Sequence, residues 1–176
     1  RHQEFRIIDG DDNLCPAGVE GEVSVGGPQT CIGTISPEGH FKDERAERIR
    51  SGDLAIMDED GFVTVTGRTK DLIIRGGVNI APLEIDNLLM THPKVREAAA
   101  IGVPDAIYGE EVVCYVATKA GDSLDADQLI SHCADGLPDF KRPKKVYFVD
   151  DLPKSGRGKV MRDDLKNLWA KDHGAG

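Results

Sequence analysis

Lys159 closes the run Ser155-Gly156-Arg157-Gly158-Lys159, a glycine-spaced loop whose backbone amides could cradle an anion, with a lysine at its tip. The surrounding segment Pro138–Arg162 holds eight basic residues (Lys141, Arg142, Lys144, Lys145, Lys154, Arg157, Lys159, Arg162) against Asp139, Asp150 and Asp151. A net positive stretch attracts polyanions. An ordinary solvated basic loop has the same composition. Asp53 follows Gly52 and could cap a turn or pair with Arg68 at the surface. Lys70 reads as a loop lysine. Gly76-Gly77, followed by Val78, permits backbone angles that other residues avoid and lets a ligand approach the main chain closely. The five histidines show no ligand spacing, so no metal site is assigned.

These residues need elements to hold them. Glu4–Asp9 and Glu20–Gly26 read as strands, and Leu54–Met57 with Phe62–Thr66 reads as a hairpin around Asp58-Glu59-Asp60-Gly61. The polar stretch between Thr30 and Arg50 has little period; Asp43–Ile49 could form one or two helical turns. Short strands without helices imply a sheet or barrel fragment with a modest core. After Lys70 the pattern alternates. A short apolar strand breaks at Gly76-Gly77 and restarts as an amphipathic helix over Pro82–Thr91, with Asn79 and Pro82 marking its start and Glu84 and Asp86 in its first turn. Strands follow at Val95–Val103, Glu110–Thr118 and Lys145–Val149, with helices from Leu124-Asp125 through Cys133 and over Arg162–Lys171. Cys114 and Trp169 read as core residues. The expectation is a compact α+β domain of helices packed on a short sheet, preceded by a β-rich piece.

Composition narrows the function classes. A net charge of -9 argues against nucleic acid as partner, and 39% apolar residues with no long apolar run argue against a membrane span. Four cysteines without CxxC spacing and no visible secretory leader predict a reduced, cytoplasmic protein. The opening on Arg1 suggests a fragment.

Three ordered stretches resemble the adenylate-forming enzymes, the family of acyl-CoA synthetases, luciferases and peptide-synthetase adenylation domains. They are SGDLAIMDEDGFVTVTGR (Ser51–Arg68), GRTKDLIIRGGVNIAPLEIDNL (Gly67–Leu88) and LPKSGRGKVMR (Leu152–Arg162). The resemblance implies that residues 1–69 are the last β-rich subdomain of a large N-terminal domain, most of which is missing, and that 70–176 are the mobile C-terminal α+β domain. It implies an enzyme that uses ATP with Mg2+ to convert a carboxylic acid to an acyl-adenylate, then transfers the acyl group to CoA.

The same resemblance assigns roles residue by residue. Lys159 matches the catalytic lysine that stabilises the α-phosphate and the acyl carboxylate during adenylation. Asp53 matches the acceptor of the ATP ribose hydroxyls, with Arg68 beside it. Lys70, next to Asp71, matches the hinge about which the small domain turns. Gly76, Gly77 and Val78 match the lining of the pantetheine tunnel. Some acetate-activating relatives have an arginine where this chain has Asn79. The wording is closest to fatty or aryl acyl-CoA synthetases, and the fragment by itself is expected not to adenylate. Loading of a carrier-protein thiol, and a non-catalytic interaction domain, stand as alternatives. Pro153 to Lys159 is also similar to the pattern at which lysine acetyltransferases modify bacterial acyl-CoA synthetases, which makes such an enzyme a candidate partner.

Overall fold

The structure, a computed structural model, describes residues 3–43, 48–121 and 123–174. It divides into two compact units, residues 1–70 and 71–176.

In the first unit, β1 (Glu4–Ile8), β2 (Glu20–Gly26), β5 (Arg48–Met57) and β6 (Val63–Arg68) form an antiparallel sheet in the order β1-β2-β5-β6. Two short strands, β3 (Gly33–Ile35) and β4 (Phe41–Asp43), pair separately. Of the stretch Asp43–Ile49, expected to form helical turns, Asp43 lies in β4 and Arg48 and Ile49 lie in β5; residues 44–47 lie outside the described residues. The β5–β6 hairpin closes as its sequence suggests. Asp58 Oδ1 accepts the amides of Asp60 and Phe62, and Gly61 takes the left-handed φ of 85° that the turn requires. Ile7, Val23 and Ala55 make the small core.

The second unit is built on β9 (Val95–Asp105) and β10 (Gly109–Thr118), a long antiparallel pair. On its other side β10 meets β11 (Lys145–Phe148) in parallel, and β7 (Ile73–Arg75) through Gly109. Strand β8 (Val78–Ile80) pairs with β7. Helices α1 (Pro82–Met90) and α2 (Ala126–Ala134) cover one face, and α3 (Arg162–His173) covers the other.

Alternation along β9 and β10 decides which residues meet which layer. Ala98, Ala100, Val112, Cys114 and Val116 pack with Ile85 and Leu89 of α1 and Leu129 of α2. Ala99, Ile101, Val103, Val113 and Tyr115 pack with Leu152 and Leu165, and the half-buried Trp169 joins them. With both faces covered, the strands read as near-continuous apolar runs. The architecture is α+β, three helices on a mixed sheet.

Two local expectations need correction. Asn79 does not start α1: it lies in β8, so the glycine pair joins two strands rather than a strand and a helix. Helix α1 begins at Pro82 behind Ala81, which makes no side-chain cap. Proline supplies the start because its missing N–H is one that the first helical turn leaves unpaired anyway. Of the two acids expected in the first turn of α1 only Glu84 lies there; Asp86 falls beyond it and is buried. Helix α2 is capped by Asp125, whose side chain takes the Asp127 amide while Gln128 returns to the Asp125 amide.

Candidate active site

Asp53 and Arg68 face each other across β5 and β6 as register partners. The pairing rests on Gly52, whose φ of 77° accompanies a register shift against β2. Glu22 holds this bulge by accepting the Gly52 amide at 3.0 Å, and Arg50 ties Glu22 in turn at 2.7 Å. Arg68 Nε stands 2.9 Å from Asp53 Oδ1, yet the N–H is not aimed at a partner and stays buried without a hydrogen bond. Lys70 is exposed in a short 3-10 turn, Thr69–Asp71, at the junction of the two units.

Gly76 and Gly77 form the two-residue turn between β7 and β8, at φ 57° and 83°. Two left-handed residues in succession are what the tight hairpin turn matched to strand twist demands, and glycine supplies them without strain. Hydrogen bonds and an ion pair tie the neighbourhood of this turn together. Gly76 N donates to Tyr108 O at 2.8 Å, and Asp105 Oδ1 caps the amides of Ile107 and Tyr108 at 2.9 Å each. Those amides hold the Asp105 carboxyl below its usual range. Arg75 lies 4.1 Å over the Tyr108 ring and forks onto Glu111 at 2.7 and 3.0 Å. Burial alone would raise the Glu111 carboxyl, but Arg75 and the Val112 amide outweigh it and hold the group below its ordinary value. Val78 is exposed beside the turn. The Arg75–Glu111–Tyr108 brace was not legible in the sequence, because it joins residues far apart in the chain.

Lys159 sits on a hairpin of its own. Lys154 and Val160 bridge, Ser155 N donates to Lys159 O, and Gly158 N donates to Ser155 O, each of these two bonds at 2.8 Å. Gly158 has φ 78°, the left-handed position that closes a three-residue loop. The turn consumes the amides of Ser155, Gly158 and Lys159 internally, so the anion cradle expected from the glycine spacing reduces to the amides of Gly156 and Arg157.

The basic segment also divides. Lys141 pairs with Glu84, Arg142 with Asp139, Lys154 with Glu97 and Arg162 with Asp86. Lys144, Lys145, Arg157 and Lys159 are exposed and form no ion pair among the described residues. Among the described residues no three His, Cys, Asp or Glu side chains gather where a metal could sit, and no helix is long and apolar enough to cross a membrane.

Comparison with known proteins follows the same residues. Residues 84–159 match the model of the AMP-binding enzyme C-terminal domain. The chain is 40% identical over 168 residues to an oxalate–CoA ligase of Saccharomyces cerevisiae, covering 94% of this chain and 31% of that protein. It is 40% identical over 165 residues to a long-chain-fatty-acid–CoA ligase of Escherichia coli, covering 93% and 29%. ATP-bound MatB from Rhodopseudomonas palustris superposes with a TM-score of 0.84 at 34% identity, over 97% of this chain and 35% of that one. The chain therefore spans about a third of the length of the curated relatives it matches. Residues 84–159 are thus similar to the AMP-binding enzyme C-terminal domain, and the relatives and structural neighbours that the chain matches are CoA ligases and other adenylate-forming enzymes.

Proposed function

We propose that this chain is the C-terminal part of an AMP-forming acid–thiol ligase that makes an acyl-adenylate from ATP and a carboxylic acid and passes the acyl group to CoA. The observation that carries the reading is Lys159: an exposed ammonium without an ion pair, on a closed hairpin, within a segment whose other cations are half neutralised. A fixed cation is the group needed where negative charge builds on the α-phosphate and the attacking carboxylate. Asp53 offers two acceptor oxygens to the ribose diol, and the Arg68 guanidinium lies beside it. Magnesium, carried on the triphosphate, would neutralise charge on the phosphates.

In this reading residues 1–69 end the large adenylation domain, and 70–176 form the small domain that turns about Lys70. The rotation exchanges Lys159 for the Gly76-Gly77-Val78 turn, along which the pantetheine arm passes. The acid itself is selected elsewhere. One relative acts on oxalate and another on long-chain fatty acids, yet both are 40% identical over this region. All four cysteines are free, in keeping with a reduced, cytoplasmic setting. Acetylation of Lys159 would remove its charge and stop adenylation; intact-mass analysis after incubation with an acetyltransferase and acetyl-CoA tests this, and acetyl groups confined to other lysines refute it.

The experiment that tests the function uses the intact ligase, wild type and Lys159→Ala, with a panel of carboxylic acids. Pyrophosphate release and thioester formation are followed separately. Loss of the first with retention of thioester formation from supplied acyl-adenylate is expected. Survival of both would refute the role of Lys159.

A further inference from the structure

Both feet of the Lys159 hairpin are tied down by ion pairs. Lys154, on the entering strand, pairs with Glu97 of β9. Arg162, three residues beyond Lys159 and the first residue of α3, pairs with Asp86 of α1. Between the feet, Met161 N donates to Pro153 O at 2.8 Å, while buried Leu152 and half-buried Val160 enter the core under α3.

The second of these pairs has an unusual place in the fold. Strand β9 has β10 on one side only, so the opposite edge leaves amides to be satisfied by other groups. Asp86 Oδ1 takes one of them, Ala100 N, at 2.6 Å. Asp86 reaches this edge from the α1 layer, and Arg162 reaches it from the α3 layer on the opposite face. The contact therefore joins the two helical layers around the rim of the sheet, three residues along the chain from Lys159.

Stability is a poor explanation for it. Removing both charges from water offsets much of their attraction, and apolar residues of similar volume would hold the layers as well. Asp86 is 4% exposed, and burial pushes its carboxyl up to about 7. Arg162 Nε remains buried without a hydrogen-bond partner. What the pair supplies is direction: Arg162 Nη2 donates to Asp86 Oδ2 while Oδ1 of the same carboxylate is held by the Ala100 amide, so the carboxylate is fixed from both sides.

We propose that the Asp86–Arg162 pair positions Lys159 for adenylation by fixing the foot of its hairpin to the edge of β9. The proposal rests on the reading of Lys159 as the adenylation lysine. Asp86 and Arg162 are positioning residues, acting through Lys159 and touching no substrate themselves.

The test uses the intact ligase with Asp86→Asn, which keeps the shape and the acceptor for Ala100, and Arg162→Lys, which keeps the charge. Each is made alone and in a Lys159→Ala background. Asp86→Asn is expected to lower kcat for pyrophosphate release roughly ten- to a hundred-fold, the scale of a misplaced catalytic group. The KM for ATP and the thioester step from supplied acyl-adenylate should each stay within about two-fold, because only transition-state positioning is lost. Arg162→Lys should retain part of the rate, and in the Lys159→Ala background neither change should lower it further.

Amide exchange serves as the control for folding. Faster exchange confined to Lys154–Val160, with β9 and β10 still protected, is expected in whichever variant folds. Equal loss in both half-reactions, or a deeper defect on top of Lys159→Ala, would make the pair a structural brace and overturn the proposal. Wild-type pyrophosphate release by a folded Asp86→Asn or Arg162→Lys enzyme would overturn it as well. If Lys159→Ala alone releases pyrophosphate normally, the underlying reading of the site fails first and takes the proposal with it.

Discussion

Arg68 Nε lies 2.9 Å from Asp53 Oδ1 without hydrogen-bonding to it. The two side chains, 33% and 42% exposed, are close enough to compensate charge and free enough to engage something else. An exposed pair of this kind contributes only about 0–1 kcal/mol to folding. Asp53→Ala in the intact ligase should therefore leave stability within about 1 kcal/mol. It should weaken ATP binding by about ten-fold or more, the worth of hydrogen bonds to a charged acceptor. Titration calorimetry with ATP, alongside denaturant unfolding, checks both; a large stability loss with unchanged affinity would assign the pair to the fold.

Gly158 and Gly156 separate backbone geometry from bulk. A Cβ at either position would meet nothing within 4 Å, but only Gly158 has the left-handed φ of 78°. Gly158→Ala should cost roughly 1 kcal/mol of local strain and slow pyrophosphate release by distorting the turn under Lys159. Gly156→Ala should be close to neutral. Steady-state rates of the two variants side by side decide the point, and equal effects would remove the role given to the turn.

The Gly76 turn should answer to the other half-reaction. A Cβ there would stand 3.4 Å from Tyr108 Cδ1, at a φ of 57° that β-branched residues resist. Gly76→Val should depress thioester formation from supplied acyl-adenylate while pyrophosphate release persists. The reverse pattern would argue against a thiol path along this turn.

Asp86 should impose a pH dependence on stability. Its carboxyl is raised from 3.8 to about 7 by burial, which outweighs Arg162 and the Ala100 amide, while Asp71 pushes in the same direction as burial. The buried Cys114 thiol, itself pushed up by burial, feels the same carboxylate. A carboxyl with a raised folded-state pKa makes the folded chain the better proton binder between these two values. Its contribution is fully present below about pH 4 and is lost as pH rises through 7, amounting to at most about 4 kcal/mol. The stability difference between wild type and Asp86→Asn, measured by denaturant unfolding from pH 4 to 8, isolates this group. A difference that is flat across the range would refute it.

Much of the fold was legible because local patterns carry it. The apolar runs Val95–Val103 and Glu110–Thr118 became the long antiparallel pair β9 and β10, Asp58 to Gly61 made its hairpin, and Arg162–Lys171 lies within α3. Asn79 misled because a residue with turn and cap propensity was captured by pairing with β7, a tertiary choice that overrides local preference.

The sequence by itself determined the alternation of strands and helices, the turns that need glycine, and the order of the motifs around Asp53, Lys70, Gly76 and Lys159. Only the tertiary structure decided which charges are neutralised and which remain available. The segment Pro138–Arg162 reads as uniformly basic, yet Lys141, Lys154 and Arg162 find acids on α1 and β9, while Lys144, Lys145, Arg157 and Lys159 find none among the described residues. Composition counts charges, whereas pairing depends on distances between residues remote in the chain, and those exist only once the sheet has brought α1, β9 and α3 together.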